Sequence, residues 1–166
     1  MSKVVNVGYV DTPIQGVTSL KLNRGLLNFK ADWRVKTDAP GEMVLANLSS
    51  PVDRPERIRV SQSDVSNVYQ GTDIDPSVYA PSRRGTSVLC QLTETFSVTD
   101  STDADYRVDL PLSVHLVIKV PNSEFLSADM IQTAVGRLMS GIYDTGSEAT
   151  TRIAAILRGS LKPSDL

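Results

Sequence analysis

At 166 residues, with 40% apolar and 22% charged side chains, the chain is long enough to build one domain around a real core. Its formal charge of −2 excludes a global pull toward nucleic acid, so any such binding has to come from charge segregated onto one face. No stretch approaches the roughly 18 apolar residues a membrane span requires, and the opening Met1-Ser2-Lys3-Val4-Val5 lacks a signal peptide's apolar core and cleavage site, so neither a membrane partner nor export by that route is expected.

Two short β-prone runs come first, Val4 to Val10 and Val17 to Leu22. The separator Asp11-Thr12-Pro13-Ile14-Gln15-Gly16 carries turn residues, which predicts a leading hairpin over about residues 3–23. Leu27, Phe29, Ala31, Trp33 and Val35 then alternate with Asn28, Lys30, Asp32, Arg34 and Lys36, the period-2 pattern of a half-buried strand with a basic outer face. Asp38-Ala39-Pro40-Gly41 reads as a turn, and Glu42 to Ser49 returns as a second strand. Ser50-Pro51-Val52-Asp53-Arg54-Pro55 ends it. From Glu56 to Ser63, Ile58 and Val60 alternate with Arg57, Arg59, Ser61 and Ser63.

Residues 65–84 hold Gly71, Pro76 and Pro81 without any period and form a long loop. In the next strand Val88, Cys90, Leu92, Phe96 and Val98 alternate with Ser87, Gln91, Thr93, Thr95 and Ser97, with Glu94 in the apolar register. A polar connector, Asp100 to Asp105, leads to the cleanest alternation in the chain. Val108, Leu110, Leu112, Val114, Leu116 and Ile118 fall on one side; Arg107, Asp109, Ser113, His115 and Lys119 fall on the other. This strand would run about 50 Å if unbroken, against about 40 Å for a compact domain of this length. Pro111 therefore suggests a bend or an unpaired position.

After Pro121 the period becomes helical. Ser127 is a good N-cap, and Met130, Ile131, Ala134, Val135, Leu138, Met139 and Ile142 make one apolar stripe, predicting a helix over about 127–143. A second helix is expected over about 147–159, with Ala149, Ile153, Ile156 and Leu157 inward and Gly159 and Pro163 as its stop.

Little in the chain points to catalysis. His115 is the sole histidine, so one chain cannot offer a two-histidine metal site, and a Ser-His-acid triad of a small hydrolase would have to centre on it. Phosphate-binding glycine loops are absent. Asp73 and Asp75 lack the downstream glycine and glutamate of a calcium loop and read as solvated loop acids. Cys90, the only cysteine, lies in an apolar register and reads as a small hydrophobe, with an intermolecular disulfide as the minor reading. No cofactor is expected, and the protein is not read as an enzyme.

The polar strand faces stand out instead. If the apolar registers share one side, the other side gathers Lys30, Arg34, Lys36, Arg57, Arg59, Ser61 and Ser63 with Gln91, Thr93, Thr95, Ser97, Ser113, His115 and Lys119. Arginine and lysine there suit phosphates, and the hydroxyls and amide suit phosphates or splayed bases. From the pattern alone, a solvated face, which any antiparallel sheet needs, is the simpler reading.

The order of elements resembles the coat proteins of single-stranded RNA bacteriophages, the levivirus type. The stretch from Thr86 to Pro163 carries the likeness: the strands TSVLCQLTETFSVTD and YRVDLPLSVHLVIKVPNSE, then the helices SADMIQTAVGRLMSGIY and TTRIAAILRGSLKP. The resemblance implies an α+β fold in a single domain over 1–166: an N-terminal β-hairpin, a five-stranded antiparallel sheet over about 26–120 and two C-terminal α-helices. It also implies an intertwined homodimer, each subunit's helices lying across the partner's sheet. Such dimers would assemble in the bacterial host cytoplasm into the icosahedral shell of a virion, packaging single-stranded genomic RNA. The coat protein would also bind an RNA hairpin as a translational repressor. By position, the implied RNA contacts are Arg57, Arg59, Ser61, Gln91, Thr93, Thr95, Ser113, His115 and Lys119. The chain departs from the pattern in its short acidic connector, its long 65–84 loop and the lack of an aromatic residue mid-way along the last strand. A non-assembling, sheet-based RNA-binding regulatory module is the alternative reading.

Overall fold

A computed structural model of the chain describes residues 5–23, 27–79, 82–103, 105–163 and 166. They fall into two compact units, one within 27–122 and one drawn from 1–26 and 123–166.

The first unit is a five-stranded antiparallel meander in the order β1-β2-β3-β4-β5: β1 (Trp33–Ala39), β2 (Glu42–Asn47), β3 (Arg57–Val65), β4 (Gly85–Thr99) and β5 (Arg107–Pro121). Strand pairing thus follows chain order throughout, even across the long connection between β3 and β4. Pro40 and Gly41 turn β1 into β2, and Gly41 supplies the positive φ of 78° that the turn requires.

Leu27 to Asp32 is not strand. Phe29–Asp32 form one helical turn, α1, capped by the Asn28 side chain, which accepts from the Ala31 N–H at 3.1 Å. Apolar residues at 29, 31 and 33 mimic alternation, but Phe29 and Trp33 meet as helical i, i+4 neighbours with ring centroids 5.9 Å apart. Lys30 consequently leaves the sheet. Lys36 sits at a register shift between Val35 and Thr37, so the regular basic face expected of β1 is broken there.

β4 and β5 each span 15 residues and pair along their whole length, from Gly85↔Pro121 to Thr99↔Arg107. Pro111 neither bends β5 out of the ladder nor leaves it unpaired; it lies opposite Thr95. The reason is topological. β5 is an edge strand, where a proline's missing N–H can face the open side. Between β3 and β4 a single helical turn, α2 (Pro76–Tyr79), interrupts the long loop, with Asp75 accepting from the Ser77 N–H.

In the second unit α3 (Ala128–Ser140) starts at Ser127, whose hydroxyl accepts from the Met130 N–H at 3.3 Å. α4 (Ile153–Leu157) is shorter than its pattern suggested. Tyr143 and Thr151 form an isolated bridge, and the Asp144 N–H donates to the Thr150 carbonyl, so residues 144–151 return as a loop before the helix can begin.

The expected leading hairpin is also replaced. Among residues 5–23 the chain turns at Gln15 and Gly16, but no strand ladder joins the two runs. Their polar groups find the C-terminal segment instead. Lys21 N–H donates to the Glu148 carbonyl at 2.6 Å, and Tyr143 Oη donates to the Lys21 carbonyl at 2.8 Å. Arg137 donates to Asp11 at 3.0 Å and to the Tyr9 hydroxyl, its guanidinium 4.7 Å from the Tyr9 ring centre.

Burial is sparse. Trp33 and Tyr143 are the only buried hydrophobic residues among those described. On β4 and β5, Phe96, Val98, Val108, Leu110, Leu112 and Val114 are each 40–55% exposed. A chain of this length ordinarily hides far more apolar surface than that.

Candidate nucleic-acid interface

Register decides which side chains share a face, because residues directly opposite in a ladder point the same way. Arg57, Thr93 and Ser113 form one cross-strand row with Ala46; Arg59, Gln91 and His115 form the next with Val44. Ser61 pairs Glu42 and Leu89, and Ser87 pairs Ser63 and Lys119. Thr95 lies two residues beyond Thr93 on the same side. All nine predicted contact residues therefore stand on one face, as the unbroken parity of β3, β4 and β5 requires. Leu89, Val117 and Pro111 share it, so the face is not uniformly polar. The opposite face carries Ile58, Val60, Val88, Cys90, Leu92, Phe96 and the six apolar residues of β5; Glu94 joins them, opposite Leu112.

A small network occupies the middle of the polar face. Ser113 Oγ and His115 Nε2 are hydrogen-bonded at 2.7 Å, and Gln91 Nε2 donates to Ser113 Oγ at 3.5 Å. A serine–histidine contact is what a hydrolase needs, but here both residues lie on an open strand face. Among the described residues no carboxylate is hydrogen-bonded to the imidazole, and no group of three metal-ligating side chains occurs. The arrangement can donate and accept hydrogen bonds; it lacks the third member that would orient a catalytic base.

Ion pairs organise the rest. Arg59 Nε donates to Glu42 Oε1 at 2.5 Å, next to it on β2. At the far end of the face Arg107 donates to both Asp109 oxygens, at 2.9 and 2.7 Å, and to Asp53 at 2.6 Å. Ser97 donates to Asp109 as well, and Arg54 donates to both Asp53 oxygens. Hydrogen bonds from Arg107, then Ser97, pull the Asp109 carboxyl down to about 2. Arg107 also lowers Asp53, while Asp109 and Asp53 push the guanidinium further above its ordinary range.

This cluster was only half legible in the sequence. The parity of β5 puts Arg107 and Asp109 on the polar face, but nothing local announces that Asp53 folds over from the β2–β3 loop. That loop is held by its own fastener: Asn47 Nδ2 donates to Glu56 Oε2 at 2.6 Å, and Ser50 Oγ accepts from the Glu56 N–H. Glu56 is buried there.

With this two-faced sheet in view, the solved structures can be compared. The chain superposes on the subunit of the virus-like particle of bacteriophage AVE015 with a TM-score of 0.83 and 28% identity, over 99% of this chain and 100% of the other. This chain has the bacteriophage coat-protein fold. The subunit of the virus-like particle of bacteriophage GQ-112 shares that fold at a TM-score of 0.76 and 12% identity, covering 96% of this chain and 97% of its own. No family model and no curated protein matches the sequence. The coat-protein fold accounts for the order read from the sequence, a meander sheet followed by C-terminal helices.

Proposed function

We propose that the protein is the structural subunit of a phage capsid, which dimerises and self-assembles into a closed shell around single-stranded RNA. One observation carries this reading. A single continuous sheet presents nine polar candidate contacts on one face, while the large apolar residues at the β4–β5 end of the other face are left about half exposed. Monomers rarely expose a contiguous apolar patch of that kind. Covering the exposed halves of Phe96, Val98, Val108, Leu110, Leu112 and Val114 contributes on the order of 5 kcal/mol, a large share of a domain's net stability. A second copy is the cover that fits. Its α3 carries an apolar stripe on which Leu138 is 64% exposed, and the 15-residue β5 is an edge strand, its outer side unpaired among the described residues. Full-length likeness to the subunit of a bacteriophage virus-like particle supports the same conclusion.

In the shell the polar face turns inward, toward RNA. Arg57 and Lys119 neutralise phosphates, and Gln91, Thr93, Thr95, Ser61, Ser113 and His115 hydrogen-bond the sugar-phosphate backbone or unpaired bases; Arg59 stands among them. The same surface serves to bind an RNA hairpin and repress translation. The product is a virion component built in the host cytoplasm. A direct test is Leu112→Asp with Val114→Asp, measured by light scattering: the parent chain runs as a dimer or larger, and the variant falls to monomer. A parent chain that is monomeric at micromolar concentration contradicts the reading.

A further inference from the structure

The polar face holds more arginine than it offers. Arg59 is engaged by Glu42 at 2.5 Å. Arg107 spends its Nε and Nη2 on Asp109 and Asp53, at 2.6 to 2.9 Å. Arg54 and Arg107 against Asp53 and Asp109 form a neutral quartet, and Arg59 with Glu42 a neutral pair. Arg57 stands between these two assemblies in the cross-strand rows, with Arg34 in the same row across Ala46, and among the described residues neither of them nor Lys119 has an ion pair; Arg34 donates only to the Lys30 and Trp33 carbonyls. These carboxylates are on strands or on the pinned loop, so they are fixed parts of the surface. Asp109 is held ionised down to about 2 by its partners, which keeps the quartet intact at any ordinary pH.

Resting on the RNA reading above, we propose that Glu42, Asp53 and Asp109 are electrostatic masks that withhold Arg54, Arg59 and Arg107 from RNA phosphates and confine backbone neutralisation to Arg34, Arg57 and Lys119. An arginine already paired to a carboxylate leaves no net charge for a phosphate to neutralise. It therefore releases no counterions from the RNA and adds nothing to the salt dependence of binding. The consequence is a coat surface that holds polyanion weakly per subunit, so that contacts form and break while the shell closes. Specific recognition then rests on hydrogen bonds from Gln91, Ser113 and His115, between the Arg34–Arg57 row and Lys119.

The test is a salt series of polyuridylate binding to the full-length protein, with Glu42→Gln, the double variant Asp53→Asn/Asp109→Asn and Arg57→Ala. The Gln and Asn changes are isosteric and keep side-chain shape, and thermal melting confirms folding of every variant. Each unmasked arginine should steepen the plot of log affinity against log salt by about 0.7, the increment for one contact to a single strand, and Arg57→Ala should flatten it by a similar amount. An unchanged slope in both unmasking variants, with Arg57→Ala still flattening it, overturns the masks and leaves the RNA face standing. No change in any variant, Arg57→Ala included, removes the RNA face and the masks together.

Discussion

Arg107 on β5 reaches across the polar face to Asp53, 54 positions earlier in the chain, and donates to its carboxylate at 2.6 Å while also gripping Asp109. This ties the β2–β3 loop to the end of the longest strand pair. Asp109 accordingly titrates at about 2 in the folded chain against an ordinary 3.8. A carboxyl whose folded value is depressed stabilises the fold above its unfolded value, and that contribution is lost as pH falls from about 4 toward 2. Thermal melting should therefore show a falling midpoint across this window. Asp109→Asn should have the lower midpoint near neutral pH and a shallower fall in acid; identical pH profiles for variant and parent would count against the quartet.

Gly85 is the tightest backbone approach in the sheet. A Cβ there would sit 2.1 Å from Val68 Cγ1 and 2.3 Å from the Val120 carbonyl oxygen. The second contact is backbone of the paired strand and cannot swing away. Gly85→Ala should cost about 1–3 kcal/mol, the range for overpacking, read from urea unfolding. Gly136 has nothing within 4 Å of an added Cβ, so Gly136→Ala, in the middle of α3, should instead stabilise by roughly 0.5–1 kcal/mol.

The N-cap of α3 gives a cleaner measure of how much the helix matters. Replacing Ser127 with Ala removes the acceptor for the Met130 N–H and should cost about 1 kcal/mol. If α3 packs on a partner subunit, the loss should also appear as weaker dimerisation by sedimentation equilibrium, not only as a lower melting point.

Charge reversal on the polar face tests its role more broadly. Arg57→Glu with Arg59→Glu should leave the dimer intact and reduce packaged RNA, measured by absorbance ratio of purified particles. The larger share of the loss should come from position 57, because Arg59 is already balanced by Glu42. Unchanged RNA content would place the RNA contacts elsewhere.

Where parity ran unbroken, the sequence was readable. The alternation in β3, β4 and β5 placed all nine candidate contacts on one face, and Ser127 marked the start of α3 to the residue. It misled where two periods coincide, as at Phe29 and Trp33, which are compatible with both a strand and one helical turn. Non-local bonds account for the other departures. Residues 5–23 look β-prone, yet Lys21 bonds Glu148 and Arg137 holds Tyr9 and Asp11. Likewise the bridge from Tyr143 to Thr151 delays α4. Asp53 joined the polar face through a loop, and no local pattern encodes where a loop lands.

The central claim is that this chain builds a shell around RNA by itself. The most direct measurement is electron microscopy of the chain expressed alone in bacteria, treated with nuclease and purified by size exclusion, followed by extraction of protected RNA. Uniform closed particles containing RNA that survived the nuclease are the predicted result. Dimers that bind RNA with a steep salt dependence yet form no particle would contradict it and point to a regulatory RNA-binding module instead.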